Sequence, residues 1–143
     1  MRVLSVIYVL FLSPLISAVE AKQILPGPFP FELVEVIDGD TFRARVDIWL
    51  GQSVTVKVRL KGVDTPEMNG KCAAEKKLAR QAKGFAENWL RKNQVHLVNV
   101  HYGTYAGRVL ATAQIKNGDS LSAALLAENL AKPYRGRRAK WCA

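Results

Sequence analysis

The stretch Val54-Thr55-Val56-Lys57-Val58-Arg59-Leu60-Lys61, continued by Gly62-Val63-Asp64-Thr65-Pro66-Glu67, decides how this chain is read. Apolar residues fall at 54, 56, 58 and 60, a period of two that marks a strand with one buried face. Arg59 projects from the other face. Gly62 breaks the strand, and Pro66 disfavours a helical backbone at Thr65, so the turn stays open there. Asp64 and Glu67 are thereby set on a loop at a strand end, close to Arg59. Two carboxylates beside an arginine can bind a metal and a phosphate. A solvated loop with a surface ion pair has the same composition, and loops also carry function.

Upstream of this strand, Glu32 to Ile37 reads as a first strand and Asp38-Gly39 as a tight hairpin turn. Thr41 to Leu50 is a second strand with Phe42, Ala44, Val46, Ile48 and Leu50 on one face. Gly51-Gln52 turns into the third, completing an antiparallel meander. Downstream, Leu78, Ala82, Phe85 and Trp89 recur at helical spacing and predict a helix over Lys71 to Lys92. Val95 to Tyr102 and Arg108 to Ile115 supply two more strands. Ser120 or Ser122 caps a second helix that runs to about Leu130 and is ended by Pro133. Five short strands with a helix after the third suit a small five-stranded barrel with two packed helices, of which the OB-fold, often an oligonucleotide binder, is an example; the pattern gives the strand order and leaves closure open.

The flanks read differently. Arg2 is followed by an apolar run from Val3 to Ile16, and small residues offer cleavage after Ala18 or Ala21. Residues 1–21 therefore read as a secretory signal peptide, with an uncleaved anchor as the alternative. Residues 22–30, rich in proline, read as an extended linker; 31–134 form the domain, and 135–143 a basic, irregular tail. The expected location is periplasmic or extracellular, without stable membrane association after cleavage.

A chain of 143 residues is one domain with one modest core. Its net charge of +9 and sequence pI near 9.8 call for an acidic partner, nucleic acid ahead of an anionic membrane. Removing residues 1–21 takes away Arg2 and Glu20 together, so the positive charge belongs to the domain. Two cysteines, Cys72 and Cys142, in an exported chain favour a disulfide over two free thiols. No CxxC exists, and His96 and His101 lack ligand-like spacing with the cysteines, which argues against zinc.

Three motifs fall in order: Val36-Ile37-Asp38-Gly39-Asp40-Thr41, Arg59-Leu60-Lys61-Gly62-Val63-Asp64-Thr65-Pro66-Glu67, and Tyr105-Ala106-Gly107-Arg108-Val109-Leu110-Ala111. Together they resemble the staphylococcal nuclease (thermonuclease) family, from about Phe31 to about Tyr134. The resemblance implies a closed OB-fold barrel and Ca²⁺-dependent cleavage of DNA and RNA that leaves 3′-phosphate and 5′-hydroxyl ends. It implies metal ligands at Asp40, Asp64 and the backbone carbonyl of Thr65. Glu67 becomes the general base or water-orienting carboxylate, and Arg59 and Arg108 the phosphate-binding arginines. Elementary chemistry agrees: oxygen-rich carboxylate sites suit hard cations, and arginine can grip phosphate with two hydrogen bonds.

The third motif departs from the family's pattern. Where an Asp-Lys-Tyr often precedes Gly-Arg, this chain has Gly103-Thr104-Tyr105-Ala106-Gly107-Arg108, one residue longer and without either charge. Tyr105 either stacks on a base or sugar or packs on the barrel. The prototype's third helix has no counterpart after Tyr134, where Cys142 is expected to pin the tail instead. The expectation is a monomeric nuclease acting on DNA and RNA, single strands ahead of duplex. A non-catalytic OB-fold that binds nucleic acid, or a basic interaction protein, leaves the five side chains Arg59, Asp40, Asp64, Glu67 and Arg108 without a purpose.

Overall fold

A computed structural model describes residues 22–105 and 107–143; the signal-peptide reading of 1–21 and the Ala106 position of the third motif lie outside the described residues. The strands are β1 (Phe29–Pro30), β2 (Glu32–Asp38), β3 (Thr41–Trp49), β4 (Gln52–Leu60), β5 (Val63–Asp64), β6 (His96–Tyr102), β7 (Arg108–Gln114) and β8 (Lys132–Pro133). The helices are α1 (Ala73–Lys92) and α2 (Leu121–Ala127). Six strands form one sheet in the order β1-β6-β7-β4-β3-β2, and β5 pairs with β8 in a second, two-stranded sheet. Only β4 and β7 run parallel in the large sheet; the meander β2-β3-β4 and the pair β6-β7 are antiparallel.

The expected five-stranded closed barrel is corrected on two points. The sheet has six strands, and it is open between β1 and β2. Both differences come from residues 22–30. Read as a linker, this stretch is extended, but it lies against β6: Leu25 exchanges backbone hydrogen bonds of 2.8 Å with Val100, and Phe29–Pro30 pair with His96–Leu97. The chain then passes through Phe31 directly into β2 at the opposite edge. One bent segment thus supplies both edges and bridges them covalently instead of by a ladder.

The core is made by the inward faces of the strands and one stripe of α1. Phe42, Ala44, Val58, Leu60, Leu97, Ala111 and Ala113 meet Ala82, Ala86 and Leu90, and Leu121 and Leu125 of α2 close one end. The buried stripe of α1 is Glu75, Ala79, Ala82, Ala86 and Leu90. It is turned from the predicted one, because small alanines let the helix approach the sheet while Leu78, Phe85 and Trp89 flank the contact half-buried. Ser120 caps α2 by accepting from the Ala123 N–H at 3.2 Å. The helix ends at Ala127, earlier than expected, and Pro133 is not its terminator. Asn129 adopts a left-handed backbone with φ 57°, and Leu130 and Ala131 both return their N–H groups to Leu125. Pro133 belongs instead to β8. No third helix follows, and among the described residues no helix is long and apolar enough to cross a membrane.

Candidate active site

The site gathers where the β2–β3 turn, the end of β4 and the loop after β5 meet. The turn is built from Gly39 and Asp40, one residue later than the Asp38-Gly39 pair expected, since Asp38 still pairs with Thr41. Asp38 caps the turn by accepting the Asp40 N–H at 3.1 Å. Only glycine fits at 39: a Cβ there would lie 2.7 Å from Ala82 Cβ and 2.9 Å from Thr65 Cγ2. The turn can therefore press against α1 and the Thr65 loop. Leu60 donates its N–H to the Asp40 carbonyl at 2.8 Å, fixing the turn to the end of β4.

Asp40 is 1% exposed. Its Oδ2 accepts the Thr65 N–H at 2.8 Å. Its Oδ1 accepts from Thr41 Oγ1 at 3.0 Å and from Arg59 Nη1 in a close ion pair. The Arg59 Nη2 reaches Asp64 Oδ1 and the Val63 carbonyl, both at 3.3 Å. One guanidinium thus spans both buried carboxylates. Burial pushes the Asp40 carboxyl from its ordinary 3.8 up to about 7, against the pull of Arg59, with Asp38 adding to the rise.

The donor set fits a hard cation. Asp40 and Asp64 are close enough to share one arginine, their donors are all oxygen, and the charge on Asp40 is incompletely compensated by its surroundings. The neighbouring Thr65 hydroxyl is buried without a hydrogen-bond partner. Asp40, Asp64 and the Thr65 carbonyl are the groups that would hold such an ion.

Glu67 is held differently. Its side chain is 49% exposed and pairs with Arg138 Nη1 at 2.7 Å. Its N–H donates to Glu75 Oε1 at 3.3 Å. Arg59, Asp64, Glu67 and Arg108 line a single open cavity of about 600 Å³, with Tyr105, Tyr134 and Arg138 on its walls. Arg108, at the start of β7, stands 4.9 Å over the Tyr105 ring, and its Nε is buried without a partner. Tyr105 is 69% exposed, so it supports Arg108 at the rim and is not packed into the core. A second cavity, at the far end of the sheet, is lined by Leu25, Phe29, Val46, Val54, Leu97 and Tyr102 among others. It has no carboxylate and carries no comparable chemistry.

The residues missed from sequence are those that hold the loop from outside. Glu75, on the buried stripe of α1, accepts from Glu67 N, from Lys71 N at 3.0 Å and from Arg138 Nη2 at 3.2 Å. Gly70 makes room for it, since a Cβ there would lie 2.4 Å from Glu75 Cδ. Burial penalises the Glu75 charge, but the Lys71 and Glu67 N–H groups and Arg138 outweigh it and hold the carboxyl below its ordinary 4.5. Asp64 Oδ2 accepts the Ala139 N–H at 3.0 Å and the Trp141 Nε1–H at 3.2 Å. Cys72 and Cys142 are joined, 70 residues apart in sequence. A charged residue on an otherwise apolar helical stripe was the one available signal for Glu75. In the tail, Cys142 was marked by its expected pairing with Cys72, which the structure shows; nothing local marked Arg138, Ala139 or Trp141.

No curated protein matches the sequence. The profile of the staphylococcal nuclease homologue family matches residues 57–141. The match takes in Arg59, Asp64, Thr65, Glu67 and Arg108; Asp40 lies before it and joins them in space through Arg59 and Thr65. Matched over more than half its length, the chain belongs to the staphylococcal nuclease homologues, a family of nuclease-type hydrolases.

Proposed function

We propose that the protein is a Ca²⁺-dependent endonuclease that hydrolyses the phosphodiester bonds of DNA and RNA, leaving 3′-phosphate and 5′-hydroxyl ends. The observation that carries this reading is the shared cavity of Arg59, Asp64, Glu67 and Arg108, with Asp40 tied to it through Arg59. Asp40, Asp64 and the Thr65 carbonyl would hold the cation, which would supply Lewis-acid polarisation of a phosphoryl oxygen. Glu67, open to solvent on one side, accepts the proton of the attacking water. Arg108 lines the same cavity, and its guanidinium donates to the phosphoryl oxygens as negative charge builds on them. Arg59 holds both carboxylates and also lines the cavity, so its guanidinium joins the carboxylates to the place where a phosphate would lie.

The open cavity and its exposed Tyr105 rim suit a single strand better than a duplex, and the +9 charge supports encounter with any polyanion. The protein acts as an exported monomer, consistent with the leader-like residues 1–21. Plasmid DNA, single-stranded DNA and RNA incubated with Ca²⁺ or with chelator, then run on a gel, test the proposal. Cleavage only with Ca²⁺, fastest on single strands, is the expected result. Salt-sensitive binding without cleavage would leave a nucleic-acid-binding module in its place.

A further inference from the structure

The tail from Arg138 to Cys142 touches both loop carboxylates. Arg138 bridges Glu67 at 2.7 Å and Glu75 at 3.2 Å. Ala139 and Trp141 both donate to one oxygen of Asp64. Three contacts anchor the tail itself. Cys142 is bonded to Cys72, the residue preceding α1. The Lys132 ammonium lies 4.5 Å over the Trp141 ring and donates to the Lys140 carbonyl at 2.6 Å. The tail is therefore a fixed wall over the loop, not a loose basic extension.

The chemistry of each contact has a direction. An ionised carboxylate offers about four lone-pair positions. Two donors on Asp64 Oδ2 leave Oδ1 as the oxygen turned toward Arg59 and Asp40. Glu67 is half-exposed on a loop that lacks ladder hydrogen bonds, and a charged side chain there has many rotamers. Arg138 selects one of them, while Glu75 holds the Glu67 backbone and the Arg138 guanidinium at once. Because Glu75 is buried and fully engaged, its own position is set by α1 and passes through Arg138 to Glu67.

We propose that the disulfide-clamped segment Arg138–Cys142 is a working wall of the active site, in which Arg138 is the positioning residue for Glu67 and Trp141 with the Ala139 N–H orients Asp64 for its cation. This rests on the nuclease reading for its catalytic meaning, but the clamp itself is a property of the fold.

The test uses the full mature protein and three changes: Arg138→Met with Arg138→Lys as rescue, Trp141→Phe, and the pair Cys72→Ser/Cys142→Ser. Hydrogen exchange followed by mass spectrometry reads the loop. The amides of Thr65 and of residues 67–71 should exchange at least about tenfold faster in the double serine protein, with those of β3 and β4 unchanged; unchanged loop protection overturns the clamp. Should the serine pair fail to fold, the two single changes leave the disulfide intact and carry the test. Trp141→Phe should weaken Ca²⁺ binding, measured by calorimetry, about 10-fold, the lower end of what outer-sphere partners contribute; an unchanged affinity overturns the role of Trp141. Arg138→Met should lower kcat about 10–100-fold, the scale of a misplaced reacting group, with KM within about twofold, and Arg138→Lys should restore most of it. A raised KM with unchanged kcat would make Arg138 a substrate contact and overturn its positioning role. A wild type that cuts nothing, with the loop nonetheless loosened in the serine protein, sinks the nuclease reading while upholding the clamp.

Discussion

The two halves of the site are held by different means. Asp40, Arg59 and Arg108 stand at a hairpin turn and on two strands, placed by the β3–β4 and β4–β7 ladders. Asp64 stands on the two-residue strand β5, paired with the equally short β8, and Glu67 on the loop after it; both depend further on groups of α1 and the tail. A ladder fixes position through the backbone, whatever side chain it carries. A two-residue ladder and the loop after it give little of that frame and depend on specific partners for their geometry. The sheet half should therefore reveal damage chiefly as lost stability, and the loop half chiefly as lost turnover.

The strongest test of that contrast is Glu67→Gln, which keeps size and removes basicity. Single-turnover cleavage should slow by about 10²–10⁴-fold, while gel-shift affinity for single-stranded DNA and the urea midpoint stay close to wild type. A protein cutting at the wild-type rate removes Glu67 from the mechanism. Next, Arg59→Met leaves the buried Asp40 without its main partner, and urea titration should show a loss of about 3 kcal/mol, as for a broken buried ion pair. The matching change in the loop half, Arg138→Met, removes an arginine that is 48% exposed and leaves the buried Glu75 with its two N–H donors; it should cost less than Arg59→Met. Equal losses would erase the distinction between the halves.

The smallest effect is in the pH dependence of stability, where the halves have opposite signs. Asp40 holds its proton more tightly folded than unfolded, so metal-free protein should lose stability as pH rises from 3.8 toward about 7. Glu75 holds its proton less tightly folded, so its contribution is present above its ordinary 4.5 and is lost as pH falls below that value. Asp40→Asn should remove the decline on the neutral side, and Glu75→Gln the decline on the acid side. Thermal unfolding of chelated protein between pH 3 and 8 reads both; a decline that survives its own substitution has been assigned to the wrong group.

The same division explains what could be read from residues alone. Asp40, Arg59 and Arg108 were legible because period-two patterns and a turn signal locate strand ends; β4 begins two residues before the expected Val54 and ends one before Lys61, with Val54 exposed. Asp64 and Glu67 were legible as loop residues because Gly62 and Pro66 punctuate the chain locally. Their holders were not, since Glu75, Arg138 and Trp141 act across 8 to 77 positions of sequence and no local period reports such contacts. Barrel closure failed for a related reason. Proline and glycine at 26–30 look like a spacer, and only the tertiary structure shows that the segment finds an unpaired edge on β6.

The Cys72–Cys142 bond has a consequence for the cell that makes the chain. A nuclease is hazardous to its own producer during synthesis. In a thiol-reducing cytosol this bond does not form, and on the proposed reading the tail then has no covalent hold on the loop that carries Asp64 and Glu67. If the chain is exported, as proposed, oxidation after export would complete the site where extracellular nucleic acid is met. A bond that looks like reinforcement would thus also serve as a timer, delaying hydrolysis until the host's own genome is out of reach.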